Sequence, residues 1–205
     1  RPVALYAPTY SEASSLHVAG EAIIRSLAAA NFNVIIKLHD RSLDDDPRYS
    51  GGVDWRGVMR GLEEPGRIRY IETMDACPAL AAADVMVTDH SSIGFEYLVL
   101  DRPLIVFDAP DLMKTARINP EKVDLLRSAA VVARTAAEVG VLARQEMLDA
   151  ARLSALRRLA ASEVFYRPGG ATDRAIEVID GLMARRSGSS PEPVADGRSA
   201  LGGLS

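Results

Sequence analysis

The sequence holds a single cysteine, Cys77, so no disulfide can form within the chain and no oxidising compartment is implied. Standing before Pro78 near an expected helix start, Cys77 reads as a small buried hydrophobe rather than a catalytic thiol. Aromatic residues are scarce, at 5% against 48% hydrophobic residues in all. The core must therefore be aliphatic, which suits helices alternating with buried strands better than an aromatic-rich sandwich. Positive charge is not in surplus: 24 Lys and Arg face 28 Asp and Glu, for a net charge of −4. That balance lacks the basic footprint of a general nucleic-acid binder, although a local anion site needs only a few groups. No run approaches the roughly 18 apolar residues of a membrane span, and no signal peptide is visible. The chain opens at Arg1 directly on a strand-like run, so a further segment is expected upstream. There is no His and Cys cluster at zinc spacing, no phosphate-binding G-x-x-x-x-G-K-[ST] loop and no internal repeat.

What the sequence does contain is an alternation of short apolar runs with longer amphipathic ones. Strands are expected at 3–7, 33–38, 67–71, 84–88, 103–107 and 129–133. Several of these are continuous, such as Val34-Ile35-Ile36 and Leu104-Ile105-Val106-Phe107, as befits a sheet covered on both faces. Helices are expected at 15–30, 54–63, 75–83, 92–100 and 135–148, the first with Leu16, Ala19, Ile23 and Leu27 on one stripe. Thr135 followed by Glu138 spells a capping box, and Asp75 is placed to cap the helix that follows it. Helix dominates from 135 to 186, with a break at Arg167-Pro168-Gly169-Gly170. Strand, helix, strand repeated in this way predicts an α/β fold with a doubly wound parallel sheet, a Rossmann-like domain over residues 1–186. The remaining residues, 187–205, are rich in Ser, Gly and Pro and predict a disordered tail.

Ligands of such sheets bind beyond the carboxyl ends of the strands, and the polar residues of this sequence collect there. Thr9, in Ala7-Pro8-Thr9-Tyr10-Ser11, leads toward a helix whose first amides could hold a phosphate, or whose serines could simply cap it. Lys37 and His39 alternate at the end of the second strand and so share a face. Both suit an anion, and His39 suits a pyrophosphate or a proton transfer, unless it is structural. Thr88, Asp89, His90, Ser91 and Ser92 form a strand-to-helix turn that reads as an anion cradle or as a well-capped helix. Glu96, about a turn later, could accept ribose hydroxyls or face solvent. Asp44-Asp45-Asp46 has the look of a metal-binding acidic triplet, but Pro47 and the polar surroundings favour a solvated turn. Arg152, Arg157, Arg158, Arg185 and Arg186 read as solvated helix faces, with contact to anionic lipid as the lesser reading.

In order and spacing these segments resemble the C-terminal domain of the CDP-glycerol glycerophosphotransferase family, which makes polymers of the teichoic-acid type. The resemblance rests on Leu5-Tyr6-Ala7-Pro8-Thr9-Tyr10, on Ile35-Ile36-Lys37-Leu38-His39, and on Ala82-Ala83-Asp84-Val85-Met86-Val87-Thr88-Asp89-His90-Ser91-Ser92-Ile93. Phe95-Glu96-Tyr97-Leu98, Leu100-Asp101-Arg102-Pro103 and Gly170-Ala171-Thr172-Asp173-Arg174 continue it. It implies the C-terminal half of a GT-B fold, in which two Rossmann-like domains face each other and this one holds the activated donor. His39 would act on the donor pyrophosphate, and Thr88 to Ser92 would line the phosphates. Glu96 would lie near the ribose, and the Glu72-Thr73-Met74 loop would place Thr73 and Met74 toward the base. The sequence departs from the family at Asp40, where proline is common, at His90, where tyrosine is usual, and at Ser11, where arginine is frequent.

The implied activity is transfer of a polyol phosphate from a CDP-activated donor to a cell-surface polymer or lipid-linked acceptor, with no cofactor and no nucleic acid. An N-terminal acceptor domain outside this sequence is implied, as is a cytoplasmic site with peripheral membrane contact. The alternative is a GT-B glycosyltransferase using a nucleotide-diphosphate sugar. A sugar-nucleotide epimerase is disfavoured, because its usual Ser-Gly-Gly is Ser91-Ser92-Ile93 here. A nucleotide-binding module without turnover is the non-enzymatic reading.

Overall fold

Six apolar runs become six parallel strands, and the segments between them become the helices that cover both faces of the sheet. The computed structural model describes residues 1–115 and 119–186, so the tail expected at 187–205 lies outside the described residues. In chain order the elements are β1 (Val3–Tyr6), α1 (Ser15–Ala29), β2 (Asn33–Ile36), a 3-10 turn (Asp40–Leu43), α2 (Pro47–Ser50) and α3 (Trp55–Gly61). Then come β3 (Ile68–Tyr70), α4 (Cys77–Ala82), β4 (Val85–Thr88), α5 (Ile93–Leu98), β5 (Leu104–Phe107), α6 (Pro110–Thr115) and α7 (Pro120–Ser128). The last are β6 (Val131–Ala133), α8 (Ala136–Leu148), α9 (Ser154–Val164) and α10 (Ala171–Arg186). The strand order is β3-β2-β1-β4-β5-β6, every pair parallel. The winding therefore reverses between β1 and β4, and the crevice of a doubly wound sheet opens at that point.

The pleat sorts the strand residues onto two faces. Ala4, Tyr6, Val85, Val87, Ile105 and Phe107 pack with α1, α3 and α8, through Leu16, Ile23, Leu27, Met59 and Val139. Leu5, Met86, Leu104 and Val106 pack on the other face with α4, α5, α7 and α9, through Leu80, Tyr97, Leu126 and Ala160. The inner strands β1, β4 and β5 are thus buried on both sides, which is why their sequences are continuous apolar runs, whereas edge strand β3 exposes Arg69 between Ile68 and Tyr70.

Contacts along the chain separate two units, Arg1–Tyr166, which holds the sheet, and Arg167–Ser205, whose described part is α10 and the turn before it. α10 buries none of its residues.

Three local features differ from the expectation. α6 and α7 arise between β5 and β6 without a marked apolar stripe. Their signals are start signals instead: Pro110 and Pro120 stand first in each helix, and the Asn119 side chain accepts the amide of Glu121 at 2.9 Å. Asp46, from the acidic triplet, caps α2 through the Arg48 amide at 3.0 Å and is ion-paired with the Arg48 side chain. Of the arginines read as solvated, Arg152, Arg158, Arg185 and Arg186 are exposed, but Arg157 is not. Arg157 is 1% exposed, with its Nε on the Asp101 carboxylate at 2.9 Å and its Nη2 on the carbonyl oxygens of Ala150 and Asp101. Arg158 reaches the same carboxylate at 3.4 Å, and Arg152 pairs with Glu146. A buried guanidinium requires such partners, and Asp101 supplies them from 56 residues away.

Candidate active site

A cleft of about 320 Å³ lies at the carboxyl edge of the sheet, across the point where the winding reverses. Ala7 and Pro8 reach it from β1, Lys37, Leu38, His39 and Asp40 from β2, and Met74, Asp75, Ala76 and Cys77 from the loop after β3. Ser91, Ser92, Ile93 and Glu96 close it from the start of α5. Six of the residues singled out in the sequence therefore meet in one place: Lys37, His39, Met74, Ser91, Ser92 and Glu96.

Lys37 is buried at 7% exposure, and its ammonium donates to the Leu38 carbonyl oxygen at 3.3 Å. It joins no ion pair among the described residues. Asp75, on the far lip of the cleft, feels its charge without touching it: the Asp75 carboxyl is held low first by the Cys77 amide and only last by Lys37. A buried cation short of a counter-charge has an unmet demand for an anion.

His39 sits at the mouth of the cleft. Its Nδ1 accepts the backbone amide of Arg41 at 3.1 Å, so the neutral ring carries its proton on Nε2. Partial desolvation pushes its pKa below the ordinary imidazole value; Asp40 opposes this, and Arg41 and Lys37 add to it. Near neutrality the ring is a neutral hydrogen-bond donor.

Neither Ser91 nor Ser92 caps α5 with its side chain, although Ser92 holds the capping position. The side-chain-capped reading of this turn therefore does not describe it: among the described residues neither hydroxyl has a hydrogen-bond partner. Ser91 is buried in the wall, whereas Ser92 and Glu96 are exposed.

Other expected residues build the walls instead. The Thr88 hydroxyl donates to the Ala7 carbonyl oxygen at 2.6 Å, tying the ends of β1 and β4 together. Asp89 is fully buried, and its carboxylate accepts the amides of Thr9 (2.9 Å) and Ser15 (3.0 Å) and the Ser15 hydroxyl (2.8 Å). The start of α1, read in the sequence as a phosphate site or a serine cap, is thus held by the chain's own carboxylate. Burial raises the Asp89 pKa, and these three donors pull it back. Thr73 accepts the Asp75 amide at 3.2 Å, while the neighbouring Glu72 is held by Arg56 at 2.8 Å and Arg60 at 3.4 Å.

His90 lines a second cavity of about 350 Å³ rather than the first. That cavity is walled by Phe95, Val123, Leu126, Val164 and Phe165, and it shares Ser91, Ser92 and Glu96 with the cleft. Both ring nitrogens of His90 are buried without a hydrogen-bond partner among the described residues, and desolvation lowers its pKa. Cys77 corrects an expectation: it is exposed on the lip of the cleft, and the Asp75 carboxylate beside it raises the thiol pKa. Tyr10, Arg41 and Tyr49, which form a stacked cluster beside His39, were not singled out by the sequence as a group.

The profile of the CDP-Glycerol:Poly(glycerophosphate) glycerophosphotransferase family matches residues 1–179. The chain belongs to this family. A search of the curated proteins finds no match. Among solved structures, the wall teichoic acid polymerase TagF is similar at TM-score 0.56 and 17% identity, over 91% of this chain and 44% of that one. A TagF variant soaked with CDPG gives 0.60 and 18%, over 91% and 43%. A protein of Listeria monocytogenes assigned as a UDP-N-acetylglucosamine 2-epimerase gives 0.53 and 17%, over 95% and 48%. At these identities the likeness is one of fold, the sheet and helices of half a GT-B protein. The chain spans less than half the length of these structures.

Proposed function

We propose that this chain is the donor-binding half of a transferase that moves a polyol phosphate from a CDP-activated donor to a polymer acceptor. Residues 1–186 form that half, and an N-terminal domain outside this sequence supplies the acceptor side. The observation that carries the reading is Lys37: a buried ammonium without an ion pair among the described residues, opening on the same cleft as His39 and the Ser91 and Ser92 hydroxyls, which those residues likewise leave uncommitted. A diphosphate meets all of these demands at once. Family membership and the TagF variant soaked with CDPG support CDP-glycerol as that diphosphate.

In this reading Ser91 and Ser92 take the phosphate oxygens, Glu96 the ribose hydroxyls, and Met74 with Thr73 borders the base. His90 adds a second imidazole behind the phosphate wall, with Thr9, Thr88 and Asp89 fixing the loops. An acceptor hydroxyl oxygen forms a bond to the β-phosphorus, and the bond from that phosphorus to the bridging oxygen breaks. CMP leaves with the bridging oxygen and its electron pair, and the acceptor proton passes to a base on the N-terminal domain. Lys37 neutralises the charge that develops, and the Nε2–H of His39 donates to the departing oxygen. Such catalysis is mainly positioning and electrostatics, and it calls for no metal held by Asp44 to Asp46. Family membership supports a location on the cytoplasmic side of the membrane with peripheral contact; no helix of the described residues is long and apolar enough to cross a membrane.

Calorimetric titration of the chain with CDP-glycerol, CDP, UDP and GDP tests the proposal. Cytidine nucleotides should bind in preference, and His39→Ala and Ser91→Ala should each weaken them. Preference for UDP or GDP would replace the donor with a nucleotide-diphosphate sugar, and binding of none would remove the reading.

A further inference from the structure

A guanidinium beside the cleft is arranged in a way that a surface arginine has no need to be. Arg41 lies with its Cζ 5.0 Å from the centroid of the Tyr10 ring and 4.9 Å from that of Tyr49. The two rings stand 6.1 Å apart at 74°, so the cation is flanked by aromatic faces on two sides. Its Nη1 also donates to the Tyr10 hydroxyl at 2.8 Å. Acidic residues are plentiful in the same loop, yet Arg41 pairs with none of them among the described residues. Asp46 is taken by Arg48.

The consequence of this clamp falls on His39. The Tyr10 ring that Arg41 holds also packs on the imidazole, with ring centroids 4.6 Å apart and planes tilted by 46°. The Arg41 backbone amide meanwhile holds Nδ1. One residue therefore acts on the imidazole twice, from the main chain on its edge and from the side chain through Tyr10.

We propose that Arg41 is a positioning residue: clamped by Tyr10 and Tyr49, it fixes the orientation and tautomer of His39, so that Nε2–H is the edge offered to the cleft. The proposal rests on the donor reading given above and deepens it. Without the clamp, Tyr10 leaves the ring and the turn at 40–43 loosens. The Nδ1 bond then frays, and the imidazole samples both tautomers and several rotamers. An imidazole that has lost its defined donor edge contributes less to a diphosphate even though its chemistry is intact. The groups bearing on its titration are Asp40, Arg41 and Lys37, with Tyr10 packed on its face.

The test uses the whole chain with 15N-labelled histidine, and it compares the wild type with Arg41→Ala, Arg41→Lys, Tyr10→Phe and Tyr10→Leu. Long-range 1H–15N spectra report the tautomer of His39 directly, and a titration in the same tubes reports its pKa. CDP-glycerol affinity is measured separately by calorimetry. Arg41→Ala and Tyr10→Leu should turn the His39 signal from the Nε2–H form to a tautomer mixture and raise its pKa, while His17 and His90 stay as they were. Both should weaken CDP-glycerol about tenfold, or about 1.4 kcal/mol. Tyr10→Phe, which keeps the packed ring, and Arg41→Lys, which keeps a cation, should fall between these and the wild type. An unchanged His39 tautomer and pKa in Arg41→Ala and Tyr10→Leu would overturn the proposal, whatever happens to the melting temperature. If the wild type binds no CDP-glycerol, the donor reading fails by itself; the spectra still decide whether Arg41 positions His39.

Discussion

The carboxylate of Asp89 holds the first turn of a helix that begins 74 residues earlier, accepting the Ser15 amide at 3.0 Å and the Ser15 hydroxyl at 2.8 Å. Ser14, at the capping position of α1, makes no side-chain cap, so Asp89 does that work from the end of β4. The same carboxylate accepts the Thr9 amide, and so locks the loops on both sides of the crevice together. Asp89→Ala should leave the buried Ser15 amide and hydroxyl and the part-buried Thr9 amide without their partner, lowering stability by about 2–4 kcal/mol in urea unfolding. Asp89→Asn, which keeps one acceptor oxygen, should cost less. A loss below about 0.5 kcal/mol for the alanine variant would mean that the loops hold without this tie.

Lys37 should show opposite signs in binding and in stability. Lys37→Met removes a buried cation and keeps the volume, so the melting temperature should stay level or rise. Affinity for CDP-glycerol should fall about tenfold or more, as expected for a lost charged hydrogen bond of roughly 1.5–3 kcal/mol. A variant that melts lower and binds as before would make Lys37 structural.

Cys77 offers a readout of occupancy, because it is exposed on the cleft wall. Asp75 keeps the thiol protonated, so alkylation by a maleimide should be slow near neutrality and accelerate as pH rises. Saturating CDP-glycerol should slow it several-fold. Equal rates with and without the nucleotide would place the ligand elsewhere.

The three histidines give the fold a pH dependence of definite sign. His17, His39 and His90 each lie below the ordinary imidazole value of 6.5, chiefly because burial penalises the charged ring. As pH falls through 6.5 the unfolded chain takes up protons before the folded one does. This stabilisation is therefore fully present above 6.5 and is lost as pH drops through the lowered folded values. The urea midpoint should decline from about pH 7.5 to about pH 5, and His90→Phe should flatten the decline. A midpoint constant over that range would count against the lowered values.

Gly140 sets how closely α8 approaches α1. A methyl group there would stand 2.8 Å from the Ala30 Cβ and closer still to the Ser26 carbonyl oxygen, and the Gly140 amide already donates to the Ser26 hydroxyl at 3.1 Å. Gly140→Ala should cost about 1–3 kcal/mol through overpacking, despite the better helix propensity of alanine. Chemical denaturation reads this directly, and a stabilised variant would show that the helices can separate freely.

What could be read from the sequence is what local pattern encodes. Val34-Ile35-Ile36 and Leu104-Ile105-Val106-Phe107 announce buried strands because each is covered on two faces, and Thr135 with Glu138 announces the start of α8. Lys37 and His39 both border the cleft, but so do Leu38 and Asp40: β2 ends at Ile36, and it is the run of chain leaving the strand, not the alternation expected of one, that brings them there. The Leu100-Asp101-Arg102-Pro103 segment and the order of the motifs were likewise sufficient to place the chain in its family.

Pairings between distant residues were decided only in three dimensions. Asp89 is in the wall because Ser15 and Thr9 reach it, and Arg157 is buried because Asp101 lies opposite it. His90 and Ser91 are adjacent in sequence, yet His90 turns to the second cavity while Ser91 lines both. Cys77 is exposed because the cleft opens beside it, and Arg41 finds Tyr10 across 31 residues. The physical reason is common to all of these: hydrophobic period and capping act within a few residues, whereas the partner of a buried charge or a packed ring is chosen by where the sheet brings the loops together.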